Sequence, residues 1–131
     1  MNPTSIRLTL PYPPTSNTLY TIAHGRKILS AAGRTYRDLV ALTVMQQGSP
    51  KALEGIRLAV SLDVHPPDRR RRDIANTEKV VVDSCVRAGV ISDDSLIDHL
   101  EITRRCVVRG GVVIMTVREW SGDVSKQEVQ G

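Results

Sequence analysis

The 131 residues are enough for about one domain, and a chain that is 40% hydrophobic and 24% charged is too polar for a membrane protein and too apolar for a disordered one. Phe is absent and aromatic residues make up only 3%, so a core has to be built from Val, Ile, Leu and Ala. The formal net charge is +4, and fourteen of the eighteen cationic residues are Arg, whose planar fork grips phosphate oxygens in pairs; a polyanion, first of all nucleic acid, is the expected partner.

No stretch approaches the roughly 18 uncharged apolar residues of a membrane span. Residues 1–7 show no cationic lead into a long apolar run, so the cytoplasm is the expected compartment. Cys85 and Cys106 stand far apart with no His or Cys at ligand spacing. Reduced, partly buried thiols are expected rather than a disulfide or a zinc site.

In chain order, Ile6-Arg7-Leu8-Thr9-Leu10 alternates as a strand buried on one face, and Pro11-Tyr12-Pro13-Pro14 stops it. Residues 15–30 read as a long loop carrying Arg26 and Lys27. Ser30 leads into a helix with Tyr36, Leu39, Val40, Thr43 and Val44 at helical spacing, which ends by residues 46–50. Residues 56–64 form a second alternating strand, apolar at even positions. The run 80–90 is ambiguous: Val80-Val81-Val82 favours a strand, yet Val81, Cys85 and Ala88 share a helical face and Gly89 is placed as a C-terminal cap. A helix is predicted. After a polar turn at 91–95, two strands at about 100–108 and 112–119 are predicted to pair as a hairpin across Arg109-Gly110-Gly111.

The predicted fold is α/β, a single domain with a mixed sheet and flanking helices in the order β-α-β-α-β-β. Residues 1–120 form the domain, and 121–131 are a polar tail expected to be disordered.

The informative segment is Pro67-Asp68-Arg69-Arg70-Arg71-Arg72-Asp73-Ile74-Ala75-Asn76-Thr77-Glu78-Lys79. Four adjacent arginines repel one another unless they are solvated or face an anion. A solvated surface run is the plain reading; a phosphate clamp is the functional one. Asp73 and Asp93-Asp94 are oxygen donors suited to Mg²⁺. Their plain readings are a helix N-cap and a turn. A nuclease needs this set together: acids for metal, a cation for the developing phosphorane charge, and a basic surface for the backbone.

These residues resemble the RusA family of Holliday junction resolvases, found mostly in phages and prophages. The resemblance begins at Leu10-Pro11-Tyr12-Pro13-Pro14-Thr15-Ser16-Asn17 and runs through Gly25-Arg26, Ser30-Ala31, Gly33 and Tyr36-Arg37-Asp38. It is strongest across residues 67–76, with Lys79, Asp83, Ala88-Gly89 and Asp93-Asp94 in step. It implies a homodimeric, Mg²⁺-dependent endonuclease that binds four-way DNA junctions and nicks two opposing strands, in recombination and repair. By the resemblance, Asp73 and Asp94 match catalytic metal-binding carboxylates, Lys79 a catalytic lysine and Arg72 a DNA-contacting residue. Arg69, Arg70, Arg71 and Asn76 join the expected DNA surface, with Arg26 and Lys27 from the loop.

One position departs from the pattern. The family has Asp-x-Asp-Asn, whereas this chain has Asp73-Ile74-Ala75-Asn76, and Ala75 can neither bind metal nor activate water. Acids about 4 Å apart repel by on the order of 4 kcal/mol per pair at an effective dielectric near 20, which metal offsets. Losing one acid weakens the metal site. One reading is a deliberate Asp→Ala change that blocks cleavage, the other a natural variant that binds without cutting. The first is favoured because every other element of the pattern is intact. A generic basic DNA- or RNA-binding accessory is the remaining rival.

His24, His65 and His99 read as surface or edge residues, with His99 closest to the acidic turn. Asp83 lies one helical turn beyond Lys79 and is expected to pair with it. Arg104, Arg105 and Arg109 are either an extension of the basic surface or solvated charges of an edge strand.

Overall fold

A computed structural model describes residues 5–14 and 19–122. The predicted tail at 121–131 lies almost entirely outside the described residues. The elements are β1 (Ser5–Pro11), β2 (Tyr20–Ala23), β3 (Arg26–Leu29), α1 (Ala31–Gln46), β4 (Leu58–His65), α2 (Ala75–Arg87), a single 3₁₀ turn (Asp94–Leu96), β5 (Ile97–Arg104) and β6 (Val112–Glu119). A four-stranded mixed sheet has the order β1-β6-β4-β5, and β2 and β3 form a separate antiparallel pair. The chain is one small α/β domain, as predicted, with an added hairpin ahead of α1.

Strand alternation sets the two faces of the sheet. Leu8, Met115, Leu62 and Ile102 lie in one row across all four strands, and the first three are buried. The next row is Arg7, Thr116, Ser61 and Glu101, which faces away from the helices. Tyr36, Val40 and Val44 of α1 and Val80, Val81 and Cys85 of α2 complete one core with the apolar face. Burial in that core pushes the Cys85 thiol up to about 12, whereas Cys106 is exposed, contrary to the expectation that both thiols would be partly buried.

Both helices return the chain to a parallel strand. β4 and β5 are parallel neighbours joined through α2, while β1 and β4 each run antiparallel to β6 between them. The predicted helix at 80–90 is real and starts earlier. Its end is a Schellman motif: Gly89 takes φ +87°, its N–H donates to Val86 O at 3.1 Å, and the Val90 N–H donates to Cys85 O at 3.0 Å. Ser30 caps α1, its hydroxyl accepting from the Gly33 N–H at 3.1 Å. Leu39, which shares helical spacing with the buried Tyr36, Val40 and Val44, is itself exposed; with Leu42 and Met45 it forms an apolar stripe on the outer side.

Two expectations are corrected. The segment 15–30 is not all loop: β2 and β3 pair across His24 and Gly25, both at positive φ (52° and 74°), as a two-residue primed turn requires. The run Tyr20-Thr21-Ile22-Ala23 has no clean alternation, which is why its strand was missed. The final two strands are not a hairpin, because β6 lies between β1 and β4 and never touches β5. After β5 the chain continues along the end of β4, with Arg105 N donating to Val64 O at 2.8 Å and Val108 N to Pro66 O at 3.0 Å. It then turns at Gly110-Gly111 and enters the sheet on the other side of β4. The fully buried Val113 and Met115 fit an interior strand, and alternation alone does not name the neighbour.

Leu62 is 1% exposed at the centre of β4. Leu62→Ala is expected to destabilise the fold by about 2–5 kcal/mol, read as a lower urea midpoint with an unchanged m-value.

Candidate nuclease site

The site is organised along α2. After β4, Pro66 and Pro67 end the strand and the arginine run follows. Asp68 shapes this loop. Its carboxylate accepts from Arg70 N at 2.9 Å and from Arg72 Nη1 at 2.6 Å. The Arg72 hydrogen bond, aided by the Arg70 N–H, holds the Asp68 carboxyl down at about 2. The side chain of Arg72 is 21% exposed against 84% for Arg70, so Arg72 is turned inward as a strut while Arg69, Arg70 and Arg71 face solvent.

Asp73 then starts the helix. Its carboxylate accepts from the Ala75 N–H at 3.1 Å, and its carbonyl from Asn76 N at 3.2 Å. The expected N-cap is corrected by one position: Ile74 is the N-cap of α2 and makes no side-chain capping bond, while Asp73 closes a turn just ahead of it. Ala75, Lys79 and Asp83 follow at four-residue intervals on one exposed face of α2, about 6 Å apart along the axis. Lys79 Nζ lies 3.6 Å from Asp83 Oδ2, which is the expected pair.

Lys79 and Asp94 share a cleft of about 330 Å³, lined also by Glu78, Asp83, Asp98 and His99. The two neighbouring acids of the turn divide their roles. Asp93 accepts from Ser95 N at 2.9 Å, and these hydrogen bonds lower its pKa. Asp94 is left exposed and lines this cleft and the adjoining one of about 590 Å³. Arg57, unremarked in the sequence, secures the turn: Nη2 donates to Ser95 O at 2.7 Å and Nε to Asp98 Oδ2 at 2.9 Å. That contact holds the Asp98 carboxyl below the usual range. His99 stacks flat on Trp120, with ring centroids 4.5 Å apart.

The structure thus brings Lys79 and Asp94 into one cleft. Asp73 and Ala75 lie at the head of the same helix, and Asp73 is not part of that cleft's lining. Among the described residues, no group of three or more His, Cys, Asp or Glu is placed to hold a metal ion. The β2–β3 hairpin borders α2. Burial and the Asp83 carboxylate raise the Tyr20 pKa, and Lys27 Nζ lies 4.8 Å from the centre of the Tyr20 ring. Arg26 and Lys27 are both exposed there. At the other end of β5, Arg69 and Arg70 meet Arg104 and Arg105 around a notch of about 490 Å³.

A family model described as "Endodeoxyribonuclease RusA" matches residues 11–117. The chain belongs to the RusA family. It is 35% identical over 120 residues to the crossover junction endodeoxyribonuclease RusA of Escherichia coli K12, covering 88% of this chain and 96% of that protein. The enzyme of Enterobacteria phage 82 is 35% identical over 118 residues, with the same coverage. That of Escherichia coli O139:H28 is 37% identical over 116 residues, covering 86% of this chain and 92% of the relative. The phage and bacterial relatives agree with the resemblance read from the motifs.

The Asp68 contacts give the fold an acid dependence. The folded carboxyl titrates near 2, below the ordinary Asp value of about 3.9. Its stabilisation is therefore present above that ordinary value and is lost as pH falls through the folded one. Asp68→Asn is expected to melt at a lower temperature than the parent chain at pH 6. The gap should close between about pH 4 and 2, which thermal unfolding followed by circular dichroism would measure.

Proposed function

We propose that the protein is a structure-selective endonuclease that binds four-way DNA junctions as a homodimer and nicks opposing strands, with Mg²⁺ as cofactor and with cleavage impaired by Ala75. Family membership carries the nuclease class, and the relatives are named for junction cleavage. The observation that carries the site is the one cleft that Lys79 and Asp94 both line. Lys79 would set its ammonium beside the scissile phosphate, where negative charge builds in the transition state. Asp83, its ion-pair partner, would orient it. Arg69, Arg70 and Arg71, with Asn76, Arg26 and Lys27, would hold the backbone. In this reading the inward turn of Arg72 keeps the loop shaped while its three neighbours meet phosphate.

The metal requires oxygen donors. Asp73 and Asp94 would be ligands, with an acid at position 75 as the third. Ala75 supplies no oxygen, and the Asp73 carboxylate already accepts from the Ala75 N–H. The donor set of this chain does not fit a loaded Mg²⁺ centre, so junction binding without efficient cutting is the expected behaviour. A dimer suits a substrate with two equivalent cut points, and the exposed stripe of Leu39, Leu42 and Met45 supports subunit pairing.

The chain is expected to bind a synthetic four-way junction and to nick it barely or not at all with Mg²⁺. Ala75→Asp should restore paired nicks, with a gain of about 10²-fold or more, and adding Lys79→Ala should remove about 10²–10³-fold of that activity. Vigorous cleavage by the parent chain would make the acid at position 75 dispensable. No nicking after Ala75→Asp would leave a junction-binding protein without catalysis. Linear duplex competing as well as junction DNA would remove structure selectivity.

A further inference from the structure

Arg104, the last residue of β5, and Arg105 just after it bring further cations to the arginine loop. Arg104 donates from Nη2 to the Arg72 main-chain oxygen at 2.7 Å, which ties the strand end to the arginine loop but neutralises no charge. Arg105 is paired with Asp63, Nε to Oδ1, at 2.8 Å. Across the notch, Arg69 has no ion-pair partner among the described residues, and Arg70 reaches Asp68 only at 3.8 Å. Among the described residues Asp68 is the one carboxylate lining the notch, and its short contact is with Arg72. Four guanidiniums therefore border an open space of about 490 Å³; Asp63 neutralises Arg105 and Asp68 loosely pairs with Arg70, which leaves Arg69 and Arg104 without a carboxylate partner among the described residues. Water solvates these exposed cations, and their shared positive field favours an anion in the notch.

We propose that this notch is a second backbone-phosphate site, walled by Arg69 and Arg70 on one side and by Arg104 and Arg105 on the other, that grips a duplex arm away from the cut. The proposal rests on the nuclease reading above. The Lys79–Asp94 cleft is lined by residues at the start of β5, and the notch by residues at its end. β5 has 8 residues, so its ends lie about 23 Å apart at roughly 3.3 Å per residue. At 3.4 Å per step, that span is about seven base pairs of duplex. The phosphate in the notch is therefore one that lies about seven steps along the arm from the nicked linkage.

Three measurements decide this on the full-length chain and a synthetic junction, with the nick mapped using Ala75→Asp. First, junctions are built with single neutral methylphosphonate linkages two to ten steps from the nick. The parent chain should lose about tenfold in affinity when the neutral linkage lies six to eight steps away. Second, Arg104→Gln and Arg69→Gln should each bind the unmodified junction about tenfold more weakly and should lose sensitivity to those linkages. Third, each should lower the salt slope of log K by about one phosphate contact, while Arg104→Lys keeps the slope. The Arg69 side chain has no ion-pair or hydrogen-bond partner among the described residues, so its variant separates loss of the contact from disturbance of the loop; unchanged thermal melting controls for the rest. If the parent chain binds the junction but no distal linkage matters, or if both Gln variants keep its slope, the notch is not a phosphate site and the nuclease reading stands. If the parent chain shows no junction binding, the nuclease reading falls and takes the notch with it.

Discussion

Two parallel strands cannot be joined by a tight turn, and this constraint shapes the molecule. β4 and β5 lie side by side and run the same way, so the chain has to travel back along the sheet between them. α2 makes that journey, with Val80, Val81 and Cys85 in the core and the opposite side in water. The connection into α2 carries the arginine run, and its first turn carries Asp73 and Ala75. Its exposed face carries Lys79, and the connection out carries Asp94. The same return that satisfies the sheet thus strings the motif residues along α2 and its two connections.

Ionic contacts near that edge hold loops in shape and leave other charges available. Asp68 takes Arg72 and two positions of loop geometry, and Arg57 takes Asp98 and the Ser95 carbonyl. These partners are all partly solvated, so each pair adds only modestly to global stability. Their effect is conformational. With Asp68 and Asp98 occupied, Arg69, Arg70 and Asp94 remain facing solvent. Some acids here fasten a loop, through a cation as Asp68 does or through a backbone N–H as Asp93 does, while Asp94 beside it is left lining the cleft.

Much of this was legible in the chain. The alternation at Leu8-Leu10 and at Leu58-Leu62 marks strands because one face of the sheet is covered and the other is not. Gly89 marks the end of α2 because only glycine takes its left-handed backbone without strain. The arginine–aspartate block names the family. What stayed hidden is non-local. Nothing in Val112-Val113-Ile114 says that β6 will insert between β1 and β4 rather than fold back on β5. The hairpin at His24-Gly25 is short and largely exposed, so it leaves almost no hydrophobic signature. Arg57 and Asp98 are distant in sequence, and their contact follows only from the pairing of β4 with β5. The relation between Asp73 and Asp94 likewise depends on how far α2 carries the chain, which motif spacing alone does not express.

The place of β6 has a further consequence. β1 contains the first described residues, and its one neighbour in the sheet is the last strand. A chain emerging from the ribosome can form α1, α2 and the β4–β5 pair early, but its leading strand waits for the final segment before it has anything to bind. Closure of this domain therefore spans nearly the whole polypeptide, the kind of long-range pairing that slows folding. Until that closure, the apolar side of β1 remains a sticky ribbon open to foreign strands.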